Sequence, residues 1–388
     1  VHYGINPDVS LSNVSLGSSL ERQQPVRSEA AVVTERFNSF VNVNISESWL
    51  SKMGGLVSLS CEALSRLAAT TTIIAMLIVI PGALPSLPVA AELARLLPKR
   101  APVLHGWLQA AAAQVESMDV RAQGCTPYEA WQLEQAGYRP EANTPLGAGL
   151  GPWLASDVIT DDQPVWLAEL AHLSLGTDQA TLLDPGLMDV QANESAALLQ
   201  AAQPSLEAAG FGATLLTPQR WRLTLPEGLH PHTASPAAVA GQALRDWWSQ
   251  DAAMRPWRRL LNEIQMAWYE HPVNEARAER GLPPINALWL YGGARPWAQT
   301  AAGTAHVLTD LDTAHRAGDW GTWLDKLTPL DQHLRQFDGP SGLPAQPVQL
   351  VLLGADRRAT LTLQPRSRLL SWLPAPKKNW NTWWSRPV

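Results

Sequence analysis

Apolar residues recur at helical spacing through Trp257, Leu260, Leu261, Ile264 and Trp268, and this periodicity predicts an amphipathic helix. The pattern then changes. Pro272 lacks an N–H that a helix start would leave unpaired, and Gly281 stands where a helix can end in a left-handed turn, so residues 273–280 read as a short second helix. Pro283 and Pro284 forbid its continuation. Residues 286–291 (NALWLY) are apolar and uncharged, as in a strand buried on both faces, and Gly292-Gly293 closes the strand with a turn.

The same reading along the rest of the chain gives a strand at 77–80 and helices at 89–97, 104–115 (LHGWLQAAAAQV) and 126–135, the last opened by Thr126-Pro127. A loop rich in Pro, Gly and Asn follows at 139–152. Its glycines, Gly147, Gly149 and Gly151, superficially resemble a dinucleotide loop, but no strand leads into them and no acidic residue follows a second strand at the required distance. Strands are predicted at 164–170 and 179–183, then a helix at 194–209 capped by Asn193 and ended by Gly210. Residues 213–216 and 220–225 form a hairpin across Thr217-Pro218-Gln219. Helices at 310–317 and 322–337 precede a second hairpin, 347–353 with 359–363, around a turn at 354–357.

Composition narrows the class. At 388 residues the chain is long enough for two domains, or one large domain with an insertion, and 46% hydrophobic against 16% charged residues indicates a folded α/β or α-rich body. The net charge of −6 gives no general reason to expect nucleic acid. Cys61 and Cys125 lie far apart without metal-ligand spacing, so neither a disulfide framework nor a zinc site is indicated and a cytoplasmic setting is expected. The 18 tryptophans against 4 phenylalanines sit largely at helix-periodic positions, which makes them core fillers or half-buried anchors before ligand stackers.

The two ends differ from the body. Residues 1–72 are rich in Ser, Asn, Val and Glu with few apolar periods, and read as a leader without a fold of its own, the natural product starting near Met76. Residues 67–91 carry no charge, yet Pro81, Pro85 and Pro88 cut the apolar run to about 14 residues, short of the ~20 a membrane span needs, which favours a buried strand followed by a helix. Residues 366–388 interleave Arg366, Arg368, Lys377, Lys378 and Arg386 with Trp372, Trp380, Trp383 and Trp384. Such a tail suits phosphate contacts and base stacking, or a membrane interface, but the preferred reading is that its tryptophans cover apolar surface.

The segment 271–293 resembles archaeal-type cofactor-independent phosphoglycerate mutases through His271, Pro272, Val273, Asn274, Arg277, Gly281, Pro284, Asn286 and Gly292. The stretch 163–194, with Pro164-Val165-Trp166-Leu167, Leu183-Asp184-Pro185 and Asn193-Glu194, resembles their inserted domain. The Trp-rich character and the opening MLIVIPGALP strand are similar to a bacterial group of RpfE-type regulatory proteins, over about residues 76–373. The resemblance implies an alkaline-phosphatase-like three-layer α/β core at 73–160 and 227–365, with a small α+β domain inserted at 161–226. It also implies, in active members, two divalent metals (Mn or Zn) held by Asp and His ligands and a Ser or Thr nucleophile.

The chain departs from that pattern at the metal site. Active members end the first strand in Asp-Gly, whereas here Pro81 precedes Gly82, and a proline side chain cannot bind a metal. Asp310, Asp312 and His315 form the best remaining metal-like cluster, the other reading being that Thr309 or Asp310 caps a helix with acidic residues in its first turn. The pair His230 and His232 and the turn residue Ser341 offer weaker chemistry. His271, Asn274, Arg277 and Asn286 are the candidate ligand contacts, Arg277 being suited to phosphate or carboxylate. Each also has a structural reading: His271 as a helix cap, the asparagines tying loops to backbone, Arg277 paired with Glu270 or Glu279. The expectation is a mutase-like scaffold without a recognisable two-metal site, needing no cofactor and serving a regulatory or binding role toward a protein partner or a small phosphorylated ligand. An active mutase or phosphohydrolase is the alternative.

Overall fold

A computed structural model describes residues 76–176, 179–248, 250–301, 303–365 and 377–385. The expectations for residues 1–72, for Cys61 and for 366–376 lie outside the described residues.

Two sheets organise the chain. Strand β1 (Met76–Leu84) lies inside the first, flanked in parallel by β9 (Ala305–Val307) and β10 (Val348–Gly354); β11 (Arg357–Leu363) and β2 (Ala113–Ser117) extend it antiparallel, in the order β2-β11-β10-β1-β9. Uninterrupted burial from Ile78 to Leu84 needs cover on both faces. On one face Ile78 and Ile80 pack against α1 (Leu87–Arg100), α2 (Pro102–Ala110), the Leu311 and Ala314 side chains of the segment around α8 (Asp312–Ala317), and α9 (Trp320–Arg335). On the other, Val79, Val351 and Leu353 meet Trp131 of α3 (Pro127–Gln135).

The predicted helix 104–115 stops early. Alanines favour helix, but Ala113 and Val115 alternate with Gln114 and Glu116 in a period of two, and β2 pairs along the edge of β11 with Glu116 opposite Arg358. Sheet pairing outweighs the local preference.

The second sheet is antiparallel, in the order β6 (Gly212–Thr217), β7 (Arg220–Thr224), β3 (Trp166–Ala171), β8 (Ala287–Gly292). All six β8 positions are buried, as its apolar sequence predicts. One face packs Leu170, Trp221, Leu288 and Leu290 on α5 (Ala192–Ala208) and α6 (Arg255–Tyr269). The other packs Leu167, Trp289 and Tyr291 on Ala130 and Leu133 of α3 and on Leu150 of α4 (Leu150–Leu154). Helix α3 thus lies between the sheets, Trp131 toward the first and Leu133 toward the second. The α+β insertion expected to close at residue 226 carries its hydrogen bonding on through β8. A small hairpin, β4 (Leu173–Leu175) with β5 (Ala180–Leu182), stands apart.

Two predicted caps are corrected. Helix α5 has Gln191, not Asn193, at its N-cap: Glu194 Oε2 reaches back to accept the Gln191 backbone N–H at 3.0 Å. Helix α8 has Leu311 at its start with no side-chain cap, so neither Thr309 nor Asp310 serves.

The described tail residues are structural. Trp380, Trp383 and Trp384 are buried in the core of the first sheet, and Arg357 Nη2 donates to the carbonyls of Pro85 (3.0 Å) and Trp384 (3.2 Å). Every described tryptophan is buried or half-buried, in keeping with core filling. Among the described residues no helix is long and apolar enough to cross a membrane.

Trp384 is 1% exposed and lies tilted against Trp323, ring centroids 6.4 Å apart. Trp384→Ala is therefore expected to cost about 3–5 kcal/mol, read as a lower urea midpoint; an unchanged midpoint would mean that the tail does not complete the core.

Candidate functional site

The ends of β1 and β10 open into a cleft of about 920 Å³, whose lining runs from Gly82, Leu353 and Gly354 on the first sheet to Glu169, Arg220 and Tyr291 on the second. Glycine shapes both sides. Gly82 has φ +76°, and a side chain there would lie 2.8 Å from the Leu311 carbonyl and 2.9 Å from His315 Cβ, so α8 can approach the end of β1 only at a glycine. Opposite, Gly292 (φ +90°) abuts Gly151 of α4 with 2.9 Å between its would-be Cβ and the Gly151 Cα, while Gly151 itself faces the Val165 carbonyl. The run 147–151 is glycine-rich for packing: Gly149 lies against the Tyr138 ring and Gly147 against the Gly124 carbonyl.

Three polar groupings line the cleft. On the second sheet, Tyr291 donates to Glu169 Oε2 at 2.7 Å, and Arg220 grips the same carboxylate through Nε at 2.8 Å and Nη2 at 3.3 Å. Burial, then the Glu169 charge, pushes the Tyr291 hydroxyl well above the usual phenol range, which fixes it as a donor. On the α8 side, Arg316 pairs with Asp184 and, at 3.1 Å, with Asp312. His315 Nε2 donates to the Leu84 carbonyl at 2.9 Å, and burial lowers its pKa so that the neutral ring is favoured.

The third grouping is the start of α3, where Thr126 and Glu129 form a capping box. Glu129 Oε2 accepts from the Thr126 N–H at 2.8 Å, the Thr126 hydroxyl at 3.0 Å and the Ser235 hydroxyl at 2.6 Å. Every one of these bonds falls on Oε2. Burial pushes the Glu129 carboxyl above the usual range, against the pull of these donors and of Arg316. The neighbouring Cys125 thiol is also pushed up by burial and by Glu129 and Glu134, which makes it a poor nucleophile.

The residues singled out by sequence fall in two places. His271 caps α7 (Pro272–Glu279), its Nδ1 accepting from the Val273 N–H at 3.2 Å. Asn274 donates to the carbonyls of Trp268 (2.8 Å) and Ile285 (2.9 Å) and accepts from the Ile285 N–H (2.8 Å), locking the turn that leads into β8. Asn286 does the same for Leu173, accepting at 2.7 Å and donating at 3.0 Å. Arg277 is fully buried and pairs with Glu194 at 2.8 Å, not with Glu270 or Glu279; its remaining bonds reach the carbonyls of Pro283, Asp189 and Met188. None of the four lines the cleft.

Of the metal-like cluster, Asp312 and His315 reach the cleft and Asp310 is exposed outside it. His230 and His232 are exposed. Glu129, Glu169, Arg220 and Arg316 were not singled out by sequence. The capping-box pattern of Thr126 and Glu129 was legible as a helix start; that its spare oxygen would face a cleft depends on which elements meet there.

No family model and no curated protein matches the chain. Among solved structures, the cofactor-independent phosphoglycerate mutase from Thermoplasma acidophilum is similar at 14% identity and a TM-score of 0.29, over 74% of this chain and 90% of that one. The PH0037 protein from Pyrococcus horikoshii is similar at 12% identity and a TM-score of 0.40, over 79% of this chain and 91% of that one.

The Arg277–Glu194 pair makes a prediction. Burial alone pushes the Glu194 carboxyl up, but the Gln191 N–H and the Arg280 and Arg277 guanidiniums together hold it below the usual glutamate range. Its stabilisation is therefore whole above about pH 4.3 and is lost as pH falls through the lowered native value. Urea titrations across acid pH are expected to show Glu194→Gln flattening this limb, and Arg277→Met costing about 3–5 kcal/mol at neutral pH. Full stability in Arg277→Met would free the guanidinium for a ligand role.

Proposed function

We propose that the chain is a phosphoglycerate-mutase-like protein of the RpfE type whose cleft binds a small ligand in a regulatory or binding role. The observation that carries this reading is the cleft itself. It lies at the carboxyl ends of parallel strands, where open α/β sheets place ligands, and it is large enough for a small organic molecule. The motif 271–293 supports the fold behind it: the residues carrying the family resemblance are spent on caps, turns and a buried ion pair.

The two divalent metals implied by the resemblance do not fit the residues present. Pro81, beside the cleft residue Gly82, offers no donor where active members have Asp. Asp312 and Asp184 are engaged by Arg316, and His315 Nε2 carries a proton bonded to backbone. Among the described residues no three His, Cys, Asp or Glu side chains are placed to hold a metal ion. This favours a binding protein over a two-metal phosphoryl-transfer enzyme, whose site needs several carboxylates and imidazoles free to converge.

The test is metal analysis of the purified chain, followed by mutase and phosphatase assays with manganese or zinc. The expected result is less than one tightly held metal per chain and no metal-dependent turnover. Two equivalents of metal with turnover would make it an active enzyme.

A further inference from the structure

The charge in the cleft indicates what it takes. Among the described residues, five carboxylates and two arginines line it, and both arginines are already engaged. Arg220 is forked onto Glu169, and Arg316 bridges Asp184 and Asp312. Asp356 has Arg357 at 2.9 Å. An incoming phosphate would have to displace a carboxylate from its arginine before it found a partner, a costly exchange for half-buried pairs.

Glu129 is in the opposite position. Its three hydrogen-bond donors all engage Oε2 and none is a cation, so Oε1 has no hydrogen-bond partner on a residue of the cleft lining; burial raises this carboxyl while nearby Arg316 pulls it down, and a cation arriving at Oε1 would favour the ionised form further. The lining also includes aromatic side chains: Tyr128 on the same helix, and Trp153, Trp247 and Trp320 on other elements. Trp247 already carries the Arg121 guanidinium 5.7 Å from its ring centroid, which shows a ring of this wall in contact with a cation. Among the described residues the lining holds this carboxylate oxygen, several aromatic side chains and no arginine without a carboxylate partner, which is complementary to positive charge.

We propose that the cleft binds a small organic cation, an amine or guanidinium of the polyamine class, with Glu129 Oε1 as its anchor and the aromatic side chains as its walls. This rests on the cleft being a binding site, and replaces a phosphorylated ligand with one of opposite charge.

Glu129→Gln tests it while preserving the fold. A Gln carbonyl keeps the acceptor that Thr126 and Ser235 need, since a capping box accepts Glu or Gln at this position, and its amide replaces Oε1 in the cleft. Calorimetric titration of the full chain would use spermidine and agmatine as cationic probes, 3-phosphoglycerate and inorganic phosphate as anionic ones, and a neutral disaccharide and manganese as further comparisons. The expected result is one-to-one binding of a cationic probe, weakened at least about tenfold by Glu129→Gln and unaffected by Glu263→Gln on helix α6, outside the cleft lining. Ala237→Lys, which brings a cation to the lining without touching the capping box, is expected to abolish that binding as well. Cationic binding indifferent to both cleft variants would overturn the proposal as surface attraction. Binding of phosphate, 3-phosphoglycerate or the disaccharide that is sensitive to Ala237→Lys would also overturn it, while leaving the cleft a binding site. Tight manganese binding would overturn both readings, and binding of no probe would remove the polyamine class.

Discussion

The arrangement depends on backbone meeting backbone at the ends of two strands. At Gly82 the segment entering α8 presses against β1, and at Gly292 helix α4 presses against β8; a side chain at either place would meet main-chain atoms within about 2.9 Å. Both glycines also hold left-handed φ values that other residues reach at a cost. These contacts set the position of α8, which brings Asp312, His315 and Arg316, and of α4, which brings Leu150 and Trp153. Trp323 Nε1 donates to the Gly82 carbonyl at 2.8 Å, tying α9 to the same point. The walls of the cleft follow from where these helices are allowed to sit.

Within that frame the basic groups are consumed by the protein. Arg277 serves Glu194 and three carbonyls, Arg220 serves Glu169, and Arg316 serves Asp184 and Asp312. Desolvation makes each of these groups costly to bury alone, so each is matched by a partner nearby. What these pairs leave in the cleft includes the Glu129 carboxylate oxygen and aromatic side chains.

Sequence carried the local structure well where local chemistry decides it. The periodic helix α6, the proline-led α7, the apolar β8 and both hairpins were legible, because their boundaries are set by proline, glycine and apolar spacing. It overran α2 into Ala113 and Val115, where pairing with β11 prevails over alanine's helix preference, and it placed caps at Asn193 and at Thr309 or Asp310 where Gln191 and Leu311 stand. The site was less legible for a physical reason. Glu129 and Arg316 are far apart in the chain, and their meeting depends on the packing of α3 between two sheets. Arg277 illustrates the converse, since its partner Glu194 lies 83 residues away and sequence offered only neighbours within its own helix or the residue before it. His271, Asn274 and Arg277 are likewise occupied with caps, turns and a buried ion pair.

Amide hydrogen exchange on the intact chain, with and without spermidine, tests the central claim most directly, because it reports where in the protein a ligand acts. The account predicts slower exchange at the start of α3 around Thr126 to Glu129, at Ser235 and along α8, with the Arg277 turn unchanged and the effect lost in Glu129→Gln. Protection centred on α7 and the turn around Arg277, with the cleft unaffected, would contradict it.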